Sequence, residues 1–297
     1  MSARALTPLL TNAQIHRIER LRIGASRRFT NRGRGEHLAG RGGASTEFAD
    51  FRDYHEGDDI RYIDWNIYSR LRRPYLKIFR TEEEMHVVII VDASASMRFD
   101  GKHGRALSLA ATFGISGLLA GERVSVVTFN AAKSDPERLP PRSGRVAMRR
   151  LFDFLGGERE PGAATLDAAV ERALRLHKGR GAALLISDFL TPGDLRRTFN
   201  QLHGAGLEIL ALHLHGPSDA TPPVDGDLRL VDSETGDTLD VSSSPALMDA
   251  YHDHRAGFLR GIEQGARRRG GNFLSLDAAE DLDHQLFDTL RRRGWLT

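Results

Sequence analysis

The chain contains no cysteine, which excludes disulfides, thiolate metal ligands and thiol nucleophiles together. Long apolar runs are also missing. The longest, Val87 to Val91 and Ala182 to Ile186, fall far short of the roughly 20 residues needed to cross a bilayer. Met1 to Leu21 holds only the short patch Leu9-Leu10 before Thr11 and Asn12, so no secretory apolar segment is visible and a cytoplasmic location is expected. Aromatic residues make up only 7% of the chain, and the basic clusters Arg27-Arg28 and Arg70-Leu71-Arg72-Arg73 are not interleaved with them. The net charge is only +2, but residues 1 to 80 hold 16 basic against 9 acidic residues, and the remainder 26 against 31. Basic patches are non-specific evidence, so nucleic-acid binding through the front of the chain stays a secondary reading.

Several catalytic motifs are absent as well. There is no Gly-x-Ser-x-Gly elbow, and Gly35-Glu36-His37-Leu38-Ala39-Gly40-Arg41 lacks the Gly-Lys-Ser/Thr ending of a phosphate loop and follows no strand. The histidines form no zinc set. His213 and His215 lie at strand spacing near a turn, and His252 and His254 diverge on a helix, so surface or cap roles are expected for them.

What is present reads as an ordinary globular chain of 297 residues, 40% apolar and 28% charged. Thr11 and Asn12 before Ile15, Ile18 and Leu21 predict a short capped helix. A Gly-rich basic loop follows, Arg32 to Gly43, then an aromatic and acidic block, Phe48 to Trp65. Within that block Asp58, Asp59 and Asp64 alternate with Arg52 and Arg61, which suggests an internally paired buttress on which Tyr62 and Trp65 pack. Leu76 to Phe79 alternates like a strand.

From Met85 the pattern becomes apolar strands alternating with amphipathic helices, the signature of an α/β sheet. Val87 to Val91, Val124 to Phe129, Ala182 to Ile186 and Leu207 to Leu214 predict strands, the first a β-branched run suited to burial on both faces. Leu107, Ala111, Ile115 and Leu118 line a helix whose small Ala110, Gly114 and Gly117 allow close approach to the sheet. Leu228 to Val231 and Thr238 to Val241 predict a hairpin, and helices Pro245 to Arg268 and Glu280 to Arg292 close the chain around a strand at Phe273 to Ser275. The expected fold is a doubly wound, mostly parallel sheet over 85–297, with a smaller N-terminal module over 1–84.

The chemistry concentrates at strand ends. Asp92-Ala93-Ser94-Ala95-Ser96 follows the first buried strand, Asp188 ends another, and Thr165 precedes a helix. In a doubly wound sheet, ligands sit outside the carboxyl ends of the strands. Two carboxylates and three hydroxyls are hard oxygen donors, suited to Mg2+, or to Mn2+ or Ca2+, rather than to zinc or copper. Taken singly, Asp92, Ser94, Ser96 and Thr165 are explained as strand-end and helix caps. Taken together, they predict a metal site.

Asp92-x-Ser94-x-Ser96, then Thr165, then Asp188, is similar to the metal-ion-dependent adhesion site of von Willebrand A domains. More narrowly, Glu47-Phe48, Arg52-x-Tyr54, Gly57-Asp58, Arg61, Ile63-Asp64-Trp65, Ser187-Asp188-Phe189 and Asp232-x-Glu234-Thr235-Gly236 resemble the signature of domain-of-unknown-function family 58. The resemblance spans nearly the whole chain. It implies a von Willebrand A-like fold, the five residues Asp92, Ser94, Ser96, Thr165 and Asp188 as metal ligands, and a MoxR-type AAA+ ATPase as associate. Its implied function is that of a non-enzymatic adaptor in the assembly or maturation of a protein complex. The chain departs from the pattern in Gly162-Ala163-Ala164, where relatives carry a Gly pair, and in Gly216-Pro217-Ser218-Asp219, where they carry a more acidic turn.

A Mg2+-dependent hydrolase or phosphotransferase is the rival reading. Phosphotransferases with an Asp after the first strand use a second carboxylate two residues on, and here that position is Ser94.

Overall fold

The computed structural model describes residues 7–24, 30–31, 46–82, 85–129, 136–157, 165–190, 193–233 and 235–297, with backbone alone at 30–31, 46–49 and 78–82. The loop 32–43, the segment 162–164, Arg27-Arg28, Glu234 and the phosphate-loop mimic at 35–41 lie outside the described residues, as do the side chains of Glu47 and Phe48. The chain divides into two compact units, Met1–Ser26 with Met85–Thr297, and Arg27–Glu84.

That division corrects the expected module over 1–84, because the first 26 residues belong to the larger unit. The reason is apolar burial. Helix α1 (Asn12–Ile18) is capped by Thr11, whose side chain accepts from Gln14 N, in a capping box with Gln14. Its Ile15 and Ile18, with Leu10 and Leu21, are buried in the core of the larger unit. Ser108 Oγ donates to Leu9 O and Ser116 Oγ to Leu21 O, both at 2.9 Å.

The larger unit is built on a six-stranded sheet. Its strands are β1 (His86–Asp92), β2 (Arg123–Phe129), β3 (Glu137–Arg142), β4 (Gly181–Ser187), β5 (Leu207–His215) and β6 (Asn272–Asp277). Their order is β6-β5-β4-β1-β2-β3, parallel throughout except for β3, which runs antiparallel to β2. Chain order therefore reverses between β1 and β4, and the crevice at their carboxyl ends is where such sheets bind ligands.

The continuous apolar run of β1 follows from burial on both faces. Val87, Ile89 and Val91 enter one core with α2 (Lys102–Leu119) and α3 (Met148–Leu155). Val88 and Ile90 enter the other, with α4 (Leu166–Leu174), α5 (Leu195–Gly204) and α6 (Pro245–Arg267). Burial of one such side chain contributes about 1.5–3 kcal/mol, so exposing either face would be costly.

Gly117 meets the sheet as expected, since a Cβ there would stand 2.8 Å from Val124 Cγ2. Gly114 instead admits Leu151 of α3, whose Cδ2 would lie 2.6 Å from an added Cβ. The predicted closing helix over 280–292 is interrupted. It consists of Leu282–His284, a π turn at Gln285–Thr289 and Leu290–Arg292. The buried Gln285 accompanies that break, its Nε2 donating to Asp277 O at 2.6 Å. Among the described residues, no helix is long and apolar enough to cross a membrane.

In the smaller unit, strands Thr46–Asp53 and Tyr75–Glu82 pair antiparallel, and Thr30–Asn31 adds to the second. Asp64 caps the helix Trp65–Leu71 by accepting from Asn66 N and Ile67 N. Asp58 takes both ends of the Arg52 guanidinium at 2.7 Å, Asp59 pairs with Arg61, and Asp64 with Lys77. The acidic block is internally paired as expected. Trp65 is not packed inward: it is 60% exposed, with Tyr68 edge-on to it.

Candidate metal centre

Asp92 is the last residue of β1 and is fully buried. Its Oδ1 accepts from Ser94 N at 2.8 Å, closing the turn that leads out of the strand, and its Oδ2 accepts from Ser187 Oγ at 2.5 Å. Burial, then the neighbouring charge of Asp188, pushes the Asp92 carboxyl up to about 7. A carboxylate in that setting is short of positive charge, and a bound cation would restore its ordinary acidity.

The hydroxyls fit such a cation. Ser94 and Ser96 are buried, with their Oγ atoms 3.1 Å apart. Adjacent ligands of an octahedral Mg2+ at about 2.1 Å are separated by about 3 Å, so the two oxygens already stand at the spacing of neighbouring ligands. Among the described residues, no group of three or more His, Asp or Glu is close enough to hold an ion. A cation held here would therefore need the serine oxygens as ligands.

Asp188 follows β4 directly and is also buried. Its Oδ1 accepts from Leu190 N at 3.1 Å, and its Oδ2 from Lys102 Nζ at 2.9 Å. Ser187 ties Asp92 to the turn that carries Asp188. It donates to Asp92 while accepting from Phe189 N at 2.7 Å, and Phe189 adopts a left-handed φ of 58° to make that turn.

Lys102, the first residue of α2, is only 2% exposed and is gripped a second time by Asp219 Oδ2 at 3.0 Å. Burial works to lower its pKa, but Asp188 and Asp219 outweigh burial and hold it above the ordinary lysine value. Asp219 lies in the short helix Pro217–Ala220 after β5. Beside it, Asp100 accepts from Ser218 N at 2.8 Å and fits against Gly216, where a Cβ would come within 2.2 Å of the Asp100 side chain. The turn Gly216-Pro217-Ser218-Asp219 is thus what reaches Lys102.

Thr165 is the N-cap of α4, its Oγ1 accepting from Ala168 N at 3.4 Å. The structure brings Asp92, Ser94, Ser96 and Asp188 into one polar cluster with Ser187 and Lys102. Thr165 heads a helix packed on β1 and β2, its hydroxyl occupied as a cap.

Three participants gain a place at the site only in the structure: Ser187, Lys102 and Asp219. Lys102 left a signal, because it falls on the buried stripe that continues through Ala106, Ala110, Phe113 and Gly117. A lysine on such a stripe needs buried partners. The surface role expected for His213 is also corrected. It is buried beside Phe189, its Nδ1 2.8 Å from Ser275 Oγ, and burial, then the charge of His215, lowers its pKa to about 3.

A doubly wound sheet with one antiparallel edge, carrying Asp-x-Ser-x-Ser at the carboxyl end of its central strand, defines a von Willebrand A-like α/β protein. The chain belongs to the family described as Protein of unknown function DUF58, whose model matches residues 50–257. It is 31% identical over 271 residues to "Uncharacterized protein Rv1480" of Mycobacterium tuberculosis, covering 88% of this chain and 84% of the relative. It is 32% identical over 164 residues to "Uncharacterized protein MAV169" of Mycobacterium avium, covering 54% and 96%. Among solved structures, it is similar to BatB from Bacteroides thetaiotaomicron, with TM-score 0.44, 15% identity, and coverage of 71% of this chain and 98% of that one. The SpRpn10 VWA domain gives TM-score 0.38 and 14% identity, covering 70% and 95%.

Proposed function

We propose that the protein is a metal-dependent recognition and adaptor protein of the cytoplasm, without catalytic activity of its own. Asp92, Ser94 and Ser96 bind a hard divalent cation, Mg2+ or else Mn2+ or Ca2+, with Thr165 and Asp188 completing the ligand set directly or through water. An acidic side chain of a partner then fills the remaining coordination position. The partner proposed from family resemblance is a MoxR-type AAA+ ATPase, the pair working in assembly or maturation of another complex.

The observation that carries this proposal is the buried Asp92 carboxylate, raised in pKa and bordered by two serine oxygens at the spacing of neighbouring Mg2+ ligands. Hard-oxygen chemistry and a position at the switch point of the sheet support it further. The test is capture of a purified MoxR-type AAA+ ATPase from the same organism by wild type and by Ser94→Ala, with Mg2+ or with chelator. Capture by wild type that needs Mg2+, and is lost in Ser94→Ala, is expected. Capture unaffected by chelator in both proteins would remove the ion from the function.

The rival, a Mg2+-dependent hydrolase or phosphotransferase, is disfavoured by Ser94 standing where a second carboxylate would assist Asp92. Phosphoester turnover with Mg2+ that vanishes in Asp92→Ala would reverse that preference. Steeply salt-dependent affinity for DNA or RNA would instead favour the basic N-terminal segment.

A further inference from the structure

Asp188 differs from Asp92 in having a cation already at hand. One of its oxygens accepts from Leu190 N, and the other lies 2.9 Å from the Lys102 ammonium. Lys102 has little room to withdraw. It is 2% exposed and held on its other side by Asp219 at 3.0 Å. The Asp219 turn is in turn tied to the loop after β1 through Ser218 and Asp100.

A divalent ion in direct contact with Asp188 would stand beside this ammonium in a water-poor setting, where like charges repel strongly. A water between ion and carboxylate relieves the conflict. It offers its oxygen to the ion and a hydrogen to a free lone pair of Asp188.

We propose that Lys102 is a positioning residue that keeps Asp188 one water away from the cation bound by Asp92, Ser94 and Ser96. It thereby holds the cation affinity of the free protein low until a partner's carboxylate joins the shell. The inference rests on the metal-binding proposal above and deepens it. A lysine that served only to neutralise its two acidic partners would affect stability and leave the coordination of the ion unchanged.

The test uses the full chain and Mn2+ alone, with affinity read from the resonance of free Mn2+ and bound waters counted by proton relaxation dispersion. Lys102→Met is expected to bind Mn2+ at least tenfold more tightly and to carry one fewer bound water, as Asp188 moves into direct contact. Asp219→Asn, at a more exposed position, covers the case in which Lys102→Met does not fold. It leaves Lys102 to Asp188 alone, so several-fold weaker Mn2+ binding with an unchanged water count is expected. Wild-type affinity and water count in a folded Lys102→Met overturn the inference, as does wild-type affinity in Asp219→Asn if Lys102→Met fails to fold. Absence of Mn2+ binding in wild type and both variants overturns the metal site itself, and the inference with it.

Discussion

Strand β1 begins at one buried polar cluster and ends at another. At its amino end His86 is fully buried, its Nδ1 2.9 Å from His177 Nδ1 and its Nε2 2.9 Å from Ser125 Oγ. His177 Nε2 meets the carbonyl of Ala205 at 3.1 Å. A carbonyl only accepts, so His177 Nε2 carries hydrogen and its Nδ1 accepts. The tautomers assigned from this network then run in one direction, Ser125 donating to His86, His86 to His177 and His177 to Ala205. Every member is satisfied without a net charge. At the carboxyl end, Asp188 and Asp219 share the buried Lys102, and Asp92 lies beside Asp188, its pKa pushed up by burial and then by that charge. A closed neutral chain stabilises a fold and leaves nothing for a ligand to supply, whereas a cluster short of positive charge is a place where a cation gains binding energy.

The strongest way to break this contrast is to neutralise Asp92. Asp92→Asn keeps the shape of the turn but removes the anionic donor, so Mg2+ affinity is expected to fall by more than about 100-fold. In chelator at pH 8, the same variant is expected to be more stable than wild type by about 1–3 kcal/mol, because the buried charge is gone. Calorimetric titration with Mg2+ and urea unfolding in chelator measure the two effects. Retained Mg2+ affinity would move the site elsewhere.

Acidity separates the two ends in sign. Burial, then the charge of His177, pushes the His86 pKa down to about 3. The unfolded chain therefore takes up a proton below about 6.5 that the folded one refuses, and stability falls as pH drops from there towards 3. Asp92 behaves oppositely. With its pKa raised to about 7, its favourable contribution is complete below about 4 and is lost as pH rises through 7 in metal-free protein. Mg2+ binds the deprotonated carboxylate, so its stabilising effect should be larger at pH 8 than at pH 5, by about 3 °C or more in melting temperature. Below about pH 4, where Asp92 is protonated in either case, the remaining acid limb set by His86 should be the same with and without Mg2+. A Mg2+ effect independent of pH would show that Asp92 is not the ligand.

The legibility of these regions differs for physical reasons. β1 and β4 announce themselves because burial on both faces demands an unbroken aliphatic run, and Asp92-x-Ser94-x-Ser96 is visible because one loop supplies all three side chains. β3 is invisible. Its Glu137-Arg138-Leu139-Pro140-Pro141-Arg142 reads as a breaker, and two prolines are tolerated there because β3 is an antiparallel edge strand. Ser187, Lys102 and Asp219 are hidden because their roles arise from strand register and loop packing across long sequence separations. Ser187 reaches Asp92 only because β4 lies beside β1 with Ile186 opposite Val91. That Leu10, Ile15, Ile18 and Leu21 join the core of the larger unit is not legible in the sequence, because an apolar stripe does not state which core receives it.

The smallest expected effects compare two serines, one at each end. Ser125→Ala removes the donor to His86 Nε2 and leaves a buried acceptor unpaired, which costs about 1–3 kcal/mol of stability. It should leave Mg2+ affinity at the wild-type value. Ser187→Ala removes a hydrogen bond to Asp92 Oδ2 and an acceptor for Phe189 N, for a similar loss of stability. Here the loss should carry over to the ion. The freed oxygen leaves Asp92 less firmly oriented, and groups that orient a metal ligand are worth about 10-fold or more in affinity. Paired urea unfolding and Mg2+ titrations of the two variants read this out. Equal Mg2+ affinities in Ser125→Ala and Ser187→Ala would mean that the serine beside Asp92 supports the fold alone, as its counterpart at the other end of the sheet does.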